Sequence, residues 1–491
     1  MAIASCKVYL RMFVQPSPLL TINAPRLSCL ATHRETCYRI RMYRIITPHR
    51  FTGMIRIPAS KSHTIRRLLV AALGDGVSEI VYPLDSLDAH SCLEVCRSLG
   101  AVIEEYRSLD TPCSPREDVP GGRLVRWRVQ GISAGAAGGT FKAPVQALDV
   151  GNSGTTLFLA LAAGALGTEP ITFTGDAQIR RRSAEPLLQA LSGLGIRVAS
   201  APQGCAPITV QGPWKGGRVS LSCPTSQYLS ALLLAAPLAP AGTSTEIDVP
   251  LLNEKPYITM TLSYLDAQGV SYDAAADYSW FRVRGGASYR PLNGPVPGDF
   301  SSAAFPACAG AITGGPVRLL GLDPEDTQGD KAFFSMLKDL GAEVSWEKTQ
   351  DTWVVTVARE GPLQAGTFDL NATPDLFPIM AVIAAYTPGE TALVHVAHAR
   401  IKETDRIAVM AAELGKLGVW TEERPDGLRI RGSAETLPAL RGGRVDGHGD
   451  HRVVMALAVA ALGASDPVEI TGAEAADVTY PGFLDLLGAA P

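Results

Sequence analysis

Hydrophobic and polar positions along the chain repeat one pattern six times. An amphipathic stretch, apolar at every third or fourth residue, stops at a glycine and runs straight into an apolar strand. The helices this predicts span 92–99, 187–194, 262–268, 334–340, 410–417 and a truncated 483–487, followed by Gly100, Gly195, Gly269, Gly341, Gly418 and Gly488. The glycines lie 95, 74, 72, 77 and 70 residues apart, which suits a repeated strand–helix–strand–helix unit. Glycine after each helix supplies the left-handed residue that ends it. The Pro/Ser/Gly-rich stretch 111–122 accounts for the first, longer gap as an inserted loop.

A second helix type also occurs six times, apolar on every face and therefore expected to be buried. Each copy opens on polar residues: Lys61-Ser62-His63-Thr64, Asn152-Ser153-Gly154-Thr155, Thr225-Ser226-Gln227, Asp299-Phe300-Ser301-Ser302, Thr373-Pro374-Asp375 and Asp450-His451-Arg452. Helix capping explains the Ser, Thr, Asn and Asp among them. It does not explain Lys61, Arg66, Gln227, His451 or Arg452. Free N–H groups and the positive dipole end make a helix start an anion site, so several such starts brought together predict an anionic substrate.

Composition narrows the class. At 491 residues with 46% hydrophobic and 19% charged positions, the chain suits a compact protein of two or more domains. A net charge of −4 gives no reason to expect nucleic acid, and no apolar run is long enough for a membrane span. The nine cysteines form no CxxC pair and are read as reduced and structural, in a cytoplasmic protein. Residues 1–41 carry six Lys/Arg, one acidic residue and three cysteines, and are expected to lie outside the fold, as a misassigned start before Met42 or a targeting segment.

Three charged clusters exceed what capping needs: Arg180-Arg181-Arg182 in a loop, Arg400 through Arg406 ahead of a helix, and Asp375 after a proline. Arginine grips phosphate and carboxylate in a two-pronged way. With these in place the chain resembles the 5-enolpyruvylshikimate-3-phosphate synthase family of enolpyruvyl transferases. The resemblance rests on Ala59-Ser60-Lys61-Ser62 with Arg66, Gly151-Asn152-Ser153-Gly154-Thr155, Ser226-Gln227-Tyr228-Leu229, Lys255-Pro256-Tyr257, Lys402-Glu403-Thr404-Asp405-Arg406 and Asp450-His451-Arg452, in the family's order over about 42–487.

The resemblance implies an α/β fold of two similar domains, each of three βαβαββ repeats around buried helices, with one domain at 60–298 and the other at 42–59 plus 299–491. It implies transfer of the enolpyruvyl group of phosphoenolpyruvate to the 5-hydroxyl of shikimate 3-phosphate by a monomer that needs no metal or organic cofactor. Shikimate 3-phosphate would be held by Lys61, Ser62, Arg66, Thr225, Ser226, Gln227, Asp375 and Lys402. Phosphoenolpyruvate would be held by Lys61, Gly154, Arg182, Gln227, Arg406 and Arg452. Asp375 would take the hydroxyl proton, with Glu403 or Lys61 as proton donor to the methylene.

Departures from the family pattern are Val478 in place of a phosphoenolpyruvate-contacting Lys, Glu254 for a phosphate-contacting Ser, His398 for an Asn and Phe158 for an Arg. A carboxylate at 254 repels a phosphate unless Lys255 or an Arg intervenes. Two other readings compete: a catalytically silent phospho-ligand-binding paralogue, motivated by Val478 and Glu254, and the related transferase acting on UDP-N-acetylglucosamine. The latter usually carries a reactive Cys, sometimes an Asp, in the loop corresponding to 175–183, where this chain has Arg180-Arg181-Arg182 and no Cys.

Overall fold

The computed structural model describes residues 43–108, 122–135, 141–350, 352–432, 440–488 and 490. The segment 1–41 and nearly all of the inserted loop 111–122 lie outside these residues.

The described residues build six helix pairs: α1 (Lys61–Leu73) and α2 (Leu87–Ser98); α3 (Gly154–Gly164) and α4 (Glu185–Gly193); α5 (Gln227–Ala235) and α6 (Lys255–Gln268); α7 (Phe300–Thr313) and α8 (Ala332–Asp339); α9 (Phe377–Ala385) and α10 (Arg406–Lys416); and α11 (His451–Leu462) and α12 (Phe483–Leu486). The first of each pair is the all-apolar type, and every residue of α3, α9 and α11 is buried. The second is amphipathic. In α10 the buried Ile407, Met410 and Leu414 follow helical spacing, so one stripe faces the core and the rest meets solvent. The six glycines that follow these helices all adopt positive φ, from 69° at Gly488 to 119° at Gly100. Side chains rarely tolerate that region, which is why glycine recurs there.

One unit shows how a pair is used. The strand Thr367–Asp369 leads through α9 to the parallel strand Gly389–Val394, and α10 then leads to the hairpin Trp420–Arg424 and Gly427–Gly432, which completes a four-stranded sheet. Five four-stranded sheets of this kind and one three-stranded sheet are present among the described residues. Two units exchange their first strands. Gly53–Arg56, just before α1, pairs with Val317–Leu320 after α7, whereas Gly294–Pro295, just before α7, pairs with Val77–Val81 after α1. The truncated last unit borrows Tyr43–Ile46, which pairs antiparallel with Val468–Thr471.

The buried side chains fall into two hydrophobic cores. One is drawn from Ile65 to Val296; the other combines Ile46, Phe51, Ile55 and Ile57 with residues from Phe300 to Leu487. The chain passes from one core to the other along two adjacent segments, where Ser60 N–H donates to Pro297 O at 2.8 Å and Asp299 N–H to Pro58 O at 2.9 Å. No helix among the described residues is long and apolar enough to cross a membrane.

Candidate active site

The polar starts of the buried helices divide into two kinds. Ser153, Asp299 and Asp450 cap α3, α7 and α11 by accepting the N–H of Thr156, Ser302 and Arg452. At α5, Ser226 makes no such cap, and at α9 neither Leu376 nor Thr373 does. Capping therefore accounts for part of the pattern. The residues it leaves over meet in an ionic network.

Arg406, 1% exposed, is the hub. Its Nε donates to Asp450 Oδ2 at 2.8 Å, Nη1 to Asp375 Oδ1 at 2.8 Å and Nη2 to Glu403 Oε2 at 2.6 Å. Arg452 Nη2 donates to the other oxygen of Asp375 at 2.9 Å, and Arg182 Nη2 lies 3.0 Å from Glu403 Oε1. Arg182 also crowds the start of α3, since a Cβ on Gly154 would clash with its Nη1. Lys61 opens α1, pairs with Asp88 of α2 at 3.1 Å, and acts on the charges of Glu403 and His451. Gln227 Nε2, opening α5, donates to Thr155 at 3.1 Å. Three guanidinium groups, an ammonium and four carboxylates thus share one partly dehydrated region.

A second cluster adjoins it. Thr225 and Ser226 donate to the buried Glu254, which is paired with Lys402. Arg66 sits deeper, 1% exposed, with Nε on Thr261 at 3.0 Å, Nη2 on Ser230 at 3.3 Å and Nη1 on the carbonyl of the half-buried Ser62 at 3.2 Å. It braces α1 against α5 and α6.

The electrostatics separate the carboxyls. Burial alone would raise Asp375, but Arg452, Lys402 and Arg406 outweigh it and hold this carboxyl well below the usual range. Glu403 behaves likewise under Arg182 and Arg406. Asp330 goes the other way: burial and the neighbouring charge of Asp375 push its carboxyl up to about 7. One of its oxygens finds no hydrogen-bond partner, while the other accepts from Ser301. His451 is driven well below the ordinary histidine value by burial and by Lys61, so its ring is neutral, and its Nε2 is also unpartnered.

These shifts have opposite consequences. Asp375 and Glu403 stabilise the fold above the unfolded carboxylate range and lose that contribution as pH falls. Asp330, whose folded value lies above its unfolded one, favours the fold in its protonated state and loses that contribution as pH rises from about 4 through 7. Asp330→Asn should therefore melt above the wild type at pH 8, by the equivalent of about 4 kcal/mol, with a much smaller difference near pH 4.5. Thermal melts of both proteins at the two pH values check the sign.

Comparison with known proteins places this geometry. The family model for EPSP synthase (3-phosphoshikimate 1-carboxyvinyltransferase) matches residues 45–118 and 122–487. The chain belongs to the EPSP synthase family. The 3-phosphoshikimate 1-carboxyvinyltransferase of Acetivibrio thermocellus is 46% identical over 439 residues, covering 89% of this chain and 95% of that one. Its counterpart in Halorubrum lacusprofundi is 38% identical over 459 residues, with 90% and 96% covered. Among solved structures, the EPSP synthase of Acinetobacter baumannii aligns with a TM-score of 0.72 at 27% identity, over 91% of this chain and 98% of that one. The enolpyruvyl transferase NikO of Streptomyces tendae shares the fold at a TM-score of 0.68 and 18% identity. The expected family and its two-part α/β architecture are met.

The departures from the EPSP synthase pattern have visible settings. Phe158 packs edge-on against Tyr228 with centroids 5.0 Å apart, so that position contributes to the core. His398 is buried with Nε2 on the carbonyl of Asn371 at 3.1 Å. Glu254 is met by Lys402 rather than by Lys255 or an arginine. Val478 ends the 3₁₀ turn Ala473–Val478, which packs on α2 and α11, and its own side chain brings no charge there. Val478→Lys should restore an ionic contact worth about 2 kcal/mol, lowering the Michaelis constant for phosphoenolpyruvate roughly tenfold or more. An unchanged constant in steady-state kinetics would show that another cation already fills the role.

Two members of the network were not among the site residues expected from the sequence. Asp88 reads as an acid in the first turn of α2, and Asp450 as the cap of α11. Their roles as counterions to Lys61 and Arg406 depend on helices far apart in the chain, which no local pattern reports.

Proposed function

We propose that this protein transfers the enolpyruvyl group of phosphoenolpyruvate to the 5-hydroxyl of shikimate 3-phosphate and releases phosphate. The convergence of Arg406 and Arg452 on Asp375 carries the reading, because it pairs carboxylate-gripping groups with a base at one point. The 38–46% identity to 3-phosphoshikimate 1-carboxyvinyltransferases over most of the chain supports it.

In this reading the phosphoenolpyruvate carboxylate docks on Arg406 and Arg452, and its phosphate on Lys61, Arg182, Gln227 and the N–H of Gly154 at the start of α3. The carboxylate takes over guanidinium faces that Asp375 now holds. Losing that support raises the proton affinity of Asp375, which turns an ion-pair partner into a base only once the donor is bound. Shikimate 3-phosphate is held by Lys61, Ser62, Arg66, Thr225, Ser226, Gln227, Asp375 and Lys402, with Arg66 acting from below through Ser62.

Asp375 takes the proton of the 5-hydroxyl as its oxygen bonds to C2 of the enol, and C3 gains a proton to form a tetrahedral adduct. That proton then leaves C3 as the C2–O bond to phosphate breaks. Glu403, held anionic by Arg182 and Arg406, is set up as the acceptor in the second step, and the Lys61 ammonium as the donor in the first. Exclusion of water strengthens every ionic contact on the adduct.

The two cores support dividing the chain into domains at 60–298 and at 42–59 plus 299–491, with the substrates between them. The reading takes the protein to act as a cytoplasmic monomer. The assay that decides is phosphate release by the full chain with phosphoenolpyruvate, with and without shikimate 3-phosphate. Release that depends on both substrates is expected; none would favour a silent phospho-ligand-binding paralogue.

A further inference from the structure

Thr225, Ser226 and Lys402, three of the groups assigned above to the acceptor, direct their hydrogen bonds to a side chain of the protein itself. Glu254 Oε2 accepts from the Thr225 hydroxyl at 3.2 Å, the Ser226 N–H at 3.0 Å and the Ser226 hydroxyl at 2.8 Å, while Oε1 meets the Lys402 ammonium. The side chain is 2% exposed. Its backbone lies in the left-handed region, at φ 60° and ψ 41°, which a glutamate adopts only where its surroundings force it. A backbone N–H at the start of α5, two hydroxyls and an ammonium are the groups that bind a phosphate. Here they enclose a carboxylate. Burial opposes the charge on Glu254, but Lys402 and the neighbouring His398 outweigh it and keep the carboxyl below its ordinary value. The pocket is built for an anion, and the protein fills it with its own.

We propose that Glu254 is a specificity-determining residue that occupies the acceptor's anion pocket, so that an incoming acceptor phosphate must displace its carboxylate from Thr225, Ser226 and Lys402. This rests on the acceptor assignment above. Two anions cannot share these four donors, because the carboxylate already holds them and the one ammonium among them, Lys402, would have to offset both charges. The displacement weakens binding of any phosphorylated acceptor. It also makes occupancy of the pocket depend on the charge at position 254 rather than on the shape of the helix start.

The test compares the full-length wild type with Glu254→Ser at saturating phosphoenolpyruvate. The Michaelis constant for shikimate 3-phosphate should fall at least tenfold in the variant, with that for phosphoenolpyruvate unchanged. Equal constants for shikimate 3-phosphate in a folded, active variant would overturn the proposal. Because the serine leaves Lys402 without its carboxylate, Glu254→Gln, similar in shape but uncharged, replaces it if the serine variant does not fold. The glutamine variant must lower the constant too, and no change there is equally fatal. A second readout is independent of catalysis. Inorganic phosphate should raise the melting temperature of the variant more than that of the wild type, and equal shifts would refute the displacement. If neither protein turns over shikimate 3-phosphate while the phosphate-induced shifts differ as expected, the enzymatic reading fails and the self-occupied pocket stands.

Discussion

Asp375→Asn should lower kcat by a factor on the order of 10² to 10⁴ while leaving the protein folded. Asparagine keeps the shape of the side chain, and its oxygen can still accept from one of the two arginines, which now reach separate oxygens of Asp375 at 2.8 and 2.9 Å. It cannot take the hydroxyl proton. The substitution also removes an anion that competes with the phosphoenolpyruvate carboxylate for both arginines, so the Michaelis constant for phosphoenolpyruvate should fall as kcat collapses. Steady-state kinetics of the variant show whether the two parameters move together or apart. A loss of both affinity and rate would mean that Asp375 only holds the arginines in place.

Arg406→Met is expected to have the largest effect on stability. Asp450, Glu403 and Asp375 all rely on this 1%-exposed guanidinium, and removing it leaves three carboxylates in a largely dehydrated region with one cation fewer. Breaking a buried pair in this way costs about 3–5 kcal/mol. For a chain of this size that is a drop in melting temperature on the order of 3–5 °C. Arg406→Lys should melt above Arg406→Met, because it restores the charge, yet below the wild type, because an ammonium cannot direct three separate donors along a planar fork. Calorimetry on the three proteins orders them. If Arg406→Met melts with the wild type, the carboxylates have taken up protons instead, and its stability will then fall as pH rises above the unfolded carboxylate range.

Much of this architecture was legible in the chain itself, for identifiable reasons. Glycines 100, 195, 269, 341, 418 and 488 mark the helix ends because positive φ leaves few alternatives. The all-apolar helices were visible because nothing but burial explains eleven consecutive residues such as 154–164 without a polar face. The exchange of strands 53–56 and 294–295 between units was not legible, since pairing partners more than two hundred residues apart leave no local trace. The site divides in the same way. Lys61, Arg182, Asp375, Glu403, Arg406 and Arg452 stood out because charge at the edge of a buried helix is costly without a purpose. Arg66 was named for the acceptor and lies against Thr261 and Ser230, because a helix pattern shows that a residue faces inward but not which hydroxyls await it. The sequence marked Glu254 as awkward. Only the fold shows that its partner is Lys402, 148 residues away.

The borrowed strand Tyr43–Ile46 has a consequence for synthesis. Its partner, Val468–Thr471, emerges from the ribosome last, whereas the core running from Ile65 to Val296 is continuous in the chain. The continuous core can close while translation is still under way. The other must hold its first strand open through more than four hundred residues of elongation, an unpaired edge that chaperones are there to shield.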